Sequence, residues 1–312
     1  MARLASPQAP GTLQVEAGVR QFSRELWLDD RGEVVNNGTV LMTDADGVSK
    51  SVKGFRFELR ALWQASARNL IEISLPYYNQ EFSRYNPGQV LPNALDDASV
   101  RREDATGDLS LLWRGLALGD IKSPLQAYLG LELSLPTGQG RFASSHPLVA
   151  TGSGGFELAP ALSLEGGSDA WKGWLQGRAL HNFGYSADIA PGSLVAYRQD
   201  LAPQTLAGGR SWVGYGLSYE ATLGLGWDWY VSDSARHRLA LELQYQDNGA
   251  LILDGAEVPN SRSSALNLVP EARFAFDGGF ALNVGWISPM GLAKNMAVAY
   301  WGELLFRADL TL

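Results

Sequence analysis

Hydrophobic and polar residues alternate along nearly the whole chain. Leu13, Val15, Ala17 and Val19 take one parity, while Gln14, Glu16, Gly18 and Arg20 take the other. Phe55, Phe57, Leu59, Ala61 and Trp63 alternate with Arg56, Glu58 and Arg60. The same period of two recurs over 71–77, 109–113, 125–135, 156–164, 175–179, 219–229, 239–245, 266–274, 280–286 and 298–310. That period places successive side chains on opposite faces of a strand, whereas a helix repeats at 3.6. The twelve segments predict an all-β chain. Their lengths suit the ~9–11 residues that a tilted strand needs to cross a bilayer.

The gaps carry an independent signal. Long stretches at 29–51, 83–106, 136–153, 185–215 and 247–262, and a medium one at 288–296, alternate with short ones at 66–68, 119–122, 165–168, 232–235 and 277–279. Short turns at one end and long loops at the other are the pattern of a membrane barrel. The expectation is therefore a 12-stranded antiparallel transmembrane β-barrel over 12–312, with both termini at the short-turn end. Residues 1–11 hold Pro7 and Pro10 and fit no strand. This N-terminal segment is expected to tuck into the lumen as a plug.

Alternation alone does not say which parity meets lipid. A soluble sandwich turns its apolar parity inward, and a membrane barrel turns it outward. The charged parity holds Arg20, Arg56, Glu58, Arg60, Glu72, Arg114, Glu132, Glu157, Arg178, Glu220, Arg238, Glu242, Glu271, Arg273, Glu303 and Arg307. Only five Lys occur, and few of them fall inside a strand. Arg beside Glu suits a confined, partly dehydrated space, because the guanidinium fork donates to several acceptors at once. These residues are expected to line and constrict a lumen. Trp27, Trp63, Tyr77, Trp113, Trp171, Trp174, Trp227, Trp229, Trp286 and Tyr300 gather near segment ends, as interfacial girdles do.

Composition removes several alternatives. Among 312 residues, 25 Lys and Arg stand against 33 Asp and Glu, a formal charge of −8. No basic run offers nucleic acid a footprint. Zero Cys excludes disulfides, thiolate zinc and cysteine nucleophiles. With 46% hydrophobic residues, the chain is too apolar for disorder. No stretch reaches the length of a transmembrane helix. Met1-Ala2-Arg3 leads into Pro7 with no apolar leader. That fits a cytosolic chain or a mature exported one, and the barrel pattern favours the second.

Three prolines interrupt strand patterns: Pro76, Pro160 and Pro270. Proline gives the ladder no donor, and a closed barrel has no edge to shelter it. Each is read as a bulge or as a weak seam in the wall, with Pro160 the first choice for a seam and Pro270 the second. His181 beside Asn182 raises a hydrolase reading, but no Ser stands near and no nucleophile elbow appears. Asp44-Ala45-Asp46-Gly47 reads as a turn and not as a calcium loop. No catalysis, metal or cofactor is expected.

Leu70-Ile71-Glu72-Ile73-Ser74-Leu75-Pro76-Tyr77, Gly107-Asp108-Leu109, Leu133-Ser134-Leu135-Pro136-Thr137-Gly138, Asn182-Phe183-Gly184-Tyr185 and Val269-Pro270-Glu271-Ala272 follow in that order. Together they resemble the outer-membrane channels of the meta-pathway of phenol degradation. A departure is the final Leu312, where such barrels usually carry an aromatic. The resemblance implies a monomeric barrel in the bacterial outer membrane and uptake of small hydrophobic molecules, aromatic ones included. Phe82, Tyr85, Leu91, Leu95, Leu194, Tyr197 and Leu201 in or beside the long loops are expected to form an apolar vestibule. Around it, outer-membrane lipid and lipopolysaccharide would be the partners. Two rival readings stay open: a narrow porin for small polar solutes or ions, and a structural or adhesive barrel.

Overall fold

The computed structural model describes residues 9–24, 26–28, 42–43, 49–85, 100–120, 123–140, 151–168, 170–189, 209–258, 261–294, 296–298 and 302–312. Twelve strands build one wall: β1 (Leu13–Arg24), β2 (Ser49–Ser66), β3 (Asn69–Tyr85), β4 (Leu109–Leu118), β5 (Leu125–Leu135), β6 (Glu157–Gly167), β7 (Trp171–Asn182), β8 (Ser218–Val231), β9 (Ala235–Asn248), β10 (Ser263–Phe276), β11 (Phe280–Lys294) and β12 (Glu303–Thr311). Each pairs antiparallel with its sequence neighbours, and β12 returns to β1 from Gln14↔Thr311 to Gln21↔Leu304. Leu13 and Leu312 exchange backbone hydrogen bonds at 3.2 and 2.7 Å, so the seam between the chain's two ends is closed. A closed ring leaves no edge strand to be satisfied, which is the condition for a sheet in hydrocarbon.

The two faces settle the question that alternation left open. Leu59 is 56% exposed and Leu223 is 55% exposed, as part of a belt of Leu, Phe and Trp around the outside. Arg60, Glu72, Glu242 and Glu271 are buried at 4–6% exposure. A soluble sheet would show the reverse. The greasy parity faces outward, the charged parity is enclosed, and the barrel is a transmembrane one.

Several strands outrun the predicted segments at the long-loop end, whereas β12 begins at Glu303 and not at 298, because Met296–Val298 pairs with Leu26–Leu28 outside the wall. β2 begins at Ser49 and β3 ends at Tyr85, through polar stretches that carry no apolar parity to read. Val100–Thr106 pairs with the outer part of β3, then β4 takes over after Gly107 and Asp108. Within the predicted loops 185–215 and 247–262, short strands Tyr185–Ile189, Gly209–Tyr215, Leu251–Leu253 and Ala256–Glu257 form a separate four-stranded sheet. Its small core is Ile189, Val213, Leu251 and Val258. Asp254 and Gly255 turn its last hairpin with φ of 49° and 84°, as a two-residue primed turn requires.

Among the described residues, one aromatic departs from its predicted place. Trp174 does not join a girdle: it points into the lumen and is 8% exposed. Gly224 lies directly opposite on β8, and its missing side chain leaves the space that the indole fills. Trp171 and Trp227 do lie outside, stacked at 5.9 Å near the short turns. The backbone of Trp27 pairs with Ala297, and Tyr300 lies outside the described residues.

Candidate lumen and wall site

All sixteen charged residues assigned to the lumen lie on the enclosed parity, buried or half-buried. Four adjacent strands share one network. Arg60 on β2 reaches Glu16 on β1 at 3.1 Å, Glu58 at 2.9 Å and Glu72 on β3 at 3.9 Å. Glu72 also accepts from Arg114 on β4 at 2.9 Å. Arg56 lies 3.4 Å from Glu58 and 5.5 Å above the Tyr78 ring.

Other pairs skip a strand. Arg178 on β7 joins Glu220 on β8 at 2.7 Å and Glu132 on β5. The strand between, β6, presents Ala159 and Ala161 at those levels, so the long side chain passes over it. Arg307 on β12 likewise reaches Glu271 on β10 past Gly285 on β11. Arg273 grips Asp309 with two hydrogen bonds of 2.8 and 2.9 Å, and Asp309 also accepts from Gln14 and Asn283. Arg238 pairs with Asp228, and Arg20 with Glu303. Glu242 accepts from Gln244 at 2.8 Å, and Glu157 from Asn182 at 3.2 Å. Asp228 and Asp309 were missed by a reading confined to Arg and Glu, although they share the same parity.

The bridges of Arg60 and Arg178 border a polar cavity of about 380 Å³. Arg56, Arg60 and Arg178 face it, together with Glu58, Glu72, Asp108, Glu132, Glu157 and Glu220. Three guanidinium groups against six carboxyl groups make it an acidic chamber, which favours cations over anions.

Asp108 organises the roof of that chamber. Its carboxylate accepts from the backbone N–H of Gly138 at 3.0 Å, the N–H of Ser153 at 2.7 Å and the Ser153 hydroxyl at 3.0 Å. Thr137 adds its hydroxyl, donating to the Gly107 carbonyl at 2.7 Å and accepting from Leu109 N–H at 2.9 Å. Gly138 and Gly152 approach so closely that a side chain on either would strike the other segment. Two pieces of the sequence resemblance, Gly107-Asp108-Leu109 and Pro136-Thr137-Gly138, thus meet at one clamp. Their meaning was hidden until the fold brought them together.

The three prolines each coincide with a break in pairing. Between β6 and β7 the register runs to Arg178↔Ala161 and resumes at His181↔Leu158, skipping Pro160. Between β10 and β11 it runs from Leu268↔Ser288 to Glu271↔Gly285, skipping Pro270. On β3 the partner changes between Ser74↔Ser110 and Tyr77↔Thr106, beside Pro76, whose carbonyl accepts from Gly107 N–H at 2.7 Å. Pro160 and Pro270 are exposed on the outer face, whereas Pro76 is buried against the chamber.

Of the predicted vestibule, Leu91, Leu95, Leu194, Tyr197 and Leu201 lie outside the described residues, and Phe82 and Tyr85 are placed only as backbone in the outer part of β3. Residues 1–8 of the predicted plug also lie outside them. Gly11 N–H donates to the Gln64 carbonyl at 2.8 Å, which holds the chain against the short-turn end of β2. The hydrolase reading gains no geometry. His181 points outward with its ring 4.8 Å from Phe183, while Asn182 points inward to Glu157.

No family model and no curated protein matches this chain. Among solved structures, the COG4313 outer membrane channel from Pseudomonas putida F1 is similar with a TM-score of 0.70, at 14% identity over 100% of both chains. The beta domain of the Bordetella autotransporter Brka gives a TM-score of 0.48 at 9% identity, over 97% of this chain and 100% of that one. The TodX monoaromatic hydrocarbon channel gives 0.47 at 12% identity, over 98% and 90%. The likeness to the Pseudomonas channel extends from end to end, and what it establishes is the fold: a closed, twelve-stranded barrel of the outer-membrane kind.

Proposed function

We propose that this chain is a bacterial outer-membrane channel for passive uptake of small, mostly hydrophobic solutes, aromatic ones included. The outer loops capture the solute, and it leaves sideways through the wall at Pro160. The protein works as a monomer, with acyl chains on its belt and lipopolysaccharide around its outer loops. One observation carries this reading. The pairing break at Pro160 stands beside the chamber, because Leu180, opposite the break, and Glu157, at its outer side, both line that chamber. Straight passage is unfavourable for an apolar solute. It would have to part the Arg–Glu bridges one level after another along the lumen, and separating a desolvated ion pair is costly, whereas sideways exit at Pro160 has the Arg178–Glu132 bridge across β6 to part.

The test replaces Pro160 with Val or Ala, each of which restores a backbone donor. One repaired hydrogen bond contributes about 1–1.5 kcal/mol, so the opened seam should become roughly tenfold rarer. Cells carrying Pro160→Val should take up a monoaromatic hydrocarbon about tenfold more slowly at unchanged barrel abundance. Equal uptake would overturn sideways exit.

The carboxyl excess of the chamber favours a second reading, a narrow cation-preferring pore. Planar-bilayer recording separates the two. A large steady current with a cation reversal potential supports the pore, and a near-silent barrel that still admits hydrocarbon supports the first reading.

A further inference from the structure

On the outer face of β6–β9 the wall carries a notch. Register places Leu125, Gly166, Gly173, Leu225 and Leu241 side by side in one outward row. The two glycines are direct partners, so two adjacent side chains are missing from that row. The next row toward the short turns is the stacked Trp171–Trp227 pair. The next row the other way is Leu164, Leu175, Leu223 and Leu243. The result is an apolar groove of about 840 Å³, floored partly by the backbone of Gly173 and Gly224. Glu165 is its single ionisable lining residue, and strand alternation turns that carboxylate to the lumen side.

We infer that this groove is a seat for one acyl chain of a membrane phospholipid, held longer than the chains elsewhere on the belt. Three features select that occupant. The groove is continuous with the lipid-facing belt, so whatever fills it comes from hydrocarbon. Its volume falls within the ~300–1,000 Å³ of ordinary ligand sites. It ends at a Trp pair beside the short turns, where tryptophan marks the headgroup boundary of the periplasmic leaflet. In hydrocarbon there is no water to expel, so retention comes from dispersion contacts that a groove multiplies and a flat wall does not. The transported solute is a poorer match. Pro160 lies opposite Ala179, six residues along β7 from Gly173, or about 20 Å at strand spacing.

Gly173 gives a clean test, because a Cβ there would meet only two carbonyl oxygens, each at 3.9 Å. Gly173→Leu fills the groove. Gly177→Leu makes the same change on the same outward parity, where a Cβ lies 3.8 Å from the Glu220 carbonyl and outside the groove. The full chain is purified in mild detergent, loaded with palmitoyl-oleoyl phosphatidylethanolamine, and its retained phospholipid is counted by native mass spectrometry. Wild type and Gly177→Leu should each keep one lipid, and Gly173→Leu should keep at least fivefold less. Equal retention in all three, or none in any, overturns the seat. A photoactivatable acyl chain gives a readout that needs no variant. Cross-links should concentrate on the segments around Gly173 and Trp227, and an even spread around the belt overturns the seat. Displacement of those cross-links by toluene also overturns it, since the groove would then hold the transported solute.

Discussion

Removing the Asp108 carboxylate tests whether one side chain holds the roof over the lumen chamber. Asp108→Ala deletes three hydrogen bonds and leaves the backbone N–H groups of Gly138 and Ser153 without their acceptor. A hydrogen bond to a charged group contributes about 1.5–3 kcal/mol. Asp108 is half-buried and water can reach part of the vacated site, so the sum is discounted to about 3 kcal/mol for the clamp. At 1.4 kcal/mol per decade, the detached roof should become roughly a hundredfold more populated. Amide hydrogen exchange reads this directly: Gly138 and Ser153 should exchange about a hundredfold faster, while amides of β8 and β9 keep their protection. Asp108→Asn retains one acceptor oxygen without the charge and should fall between. Unchanged exchange at Gly138 and Ser153 would refute the clamp. Equal acceleration throughout the barrel would refute it too, since it would mean global loosening.

Two further outcomes follow from the same geometry. Leu223→Arg places a cation among acyl chains and should destabilise the barrel by about 2–4 kcal/mol near the midplane, measured by urea unfolding in vesicles. A barrel indifferent to it would not face lipid there. Arg178→Ala leaves Glu132 and Glu220 without their shared cation. Breaking a buried pair costs about 3–5 kcal/mol, here nearer 2 because the guanidinium is 23% exposed to the lumen. Arg178→Lys should restore little of it, since a single ammonium does not reproduce the fork, but it keeps the positive charge, so cation selectivity should rise in Arg178→Ala and stay near wild type in Arg178→Lys.

The positions of the twelve wall strands, their antiparallel order and the two ends of the barrel were legible from the amino-acid sequence. A period of two is a local property, and the length of a turn depends only on its own residues. So was the set of charged residues that share one parity, from Arg20 to Arg307. Alternation by itself left open which parity meets lipid, because inward and outward barrels carry the same period; the scarcity of Lys and the Arg–Glu parity pointed to the charged side as the enclosed one, and closure of β12 onto β1 places it there. Which charges meet was equally out of reach. Arg178 reaches Glu132 because register sets Ala159 and Ala161 between them, and register is a relation between strands. Trp174 could be read as a girdle residue until Gly224 was found opposite. The clamp at Asp108 and the notch at Gly166 and Gly173 exist only where segments far apart in sequence lie side by side, and tertiary structure alone brings them there.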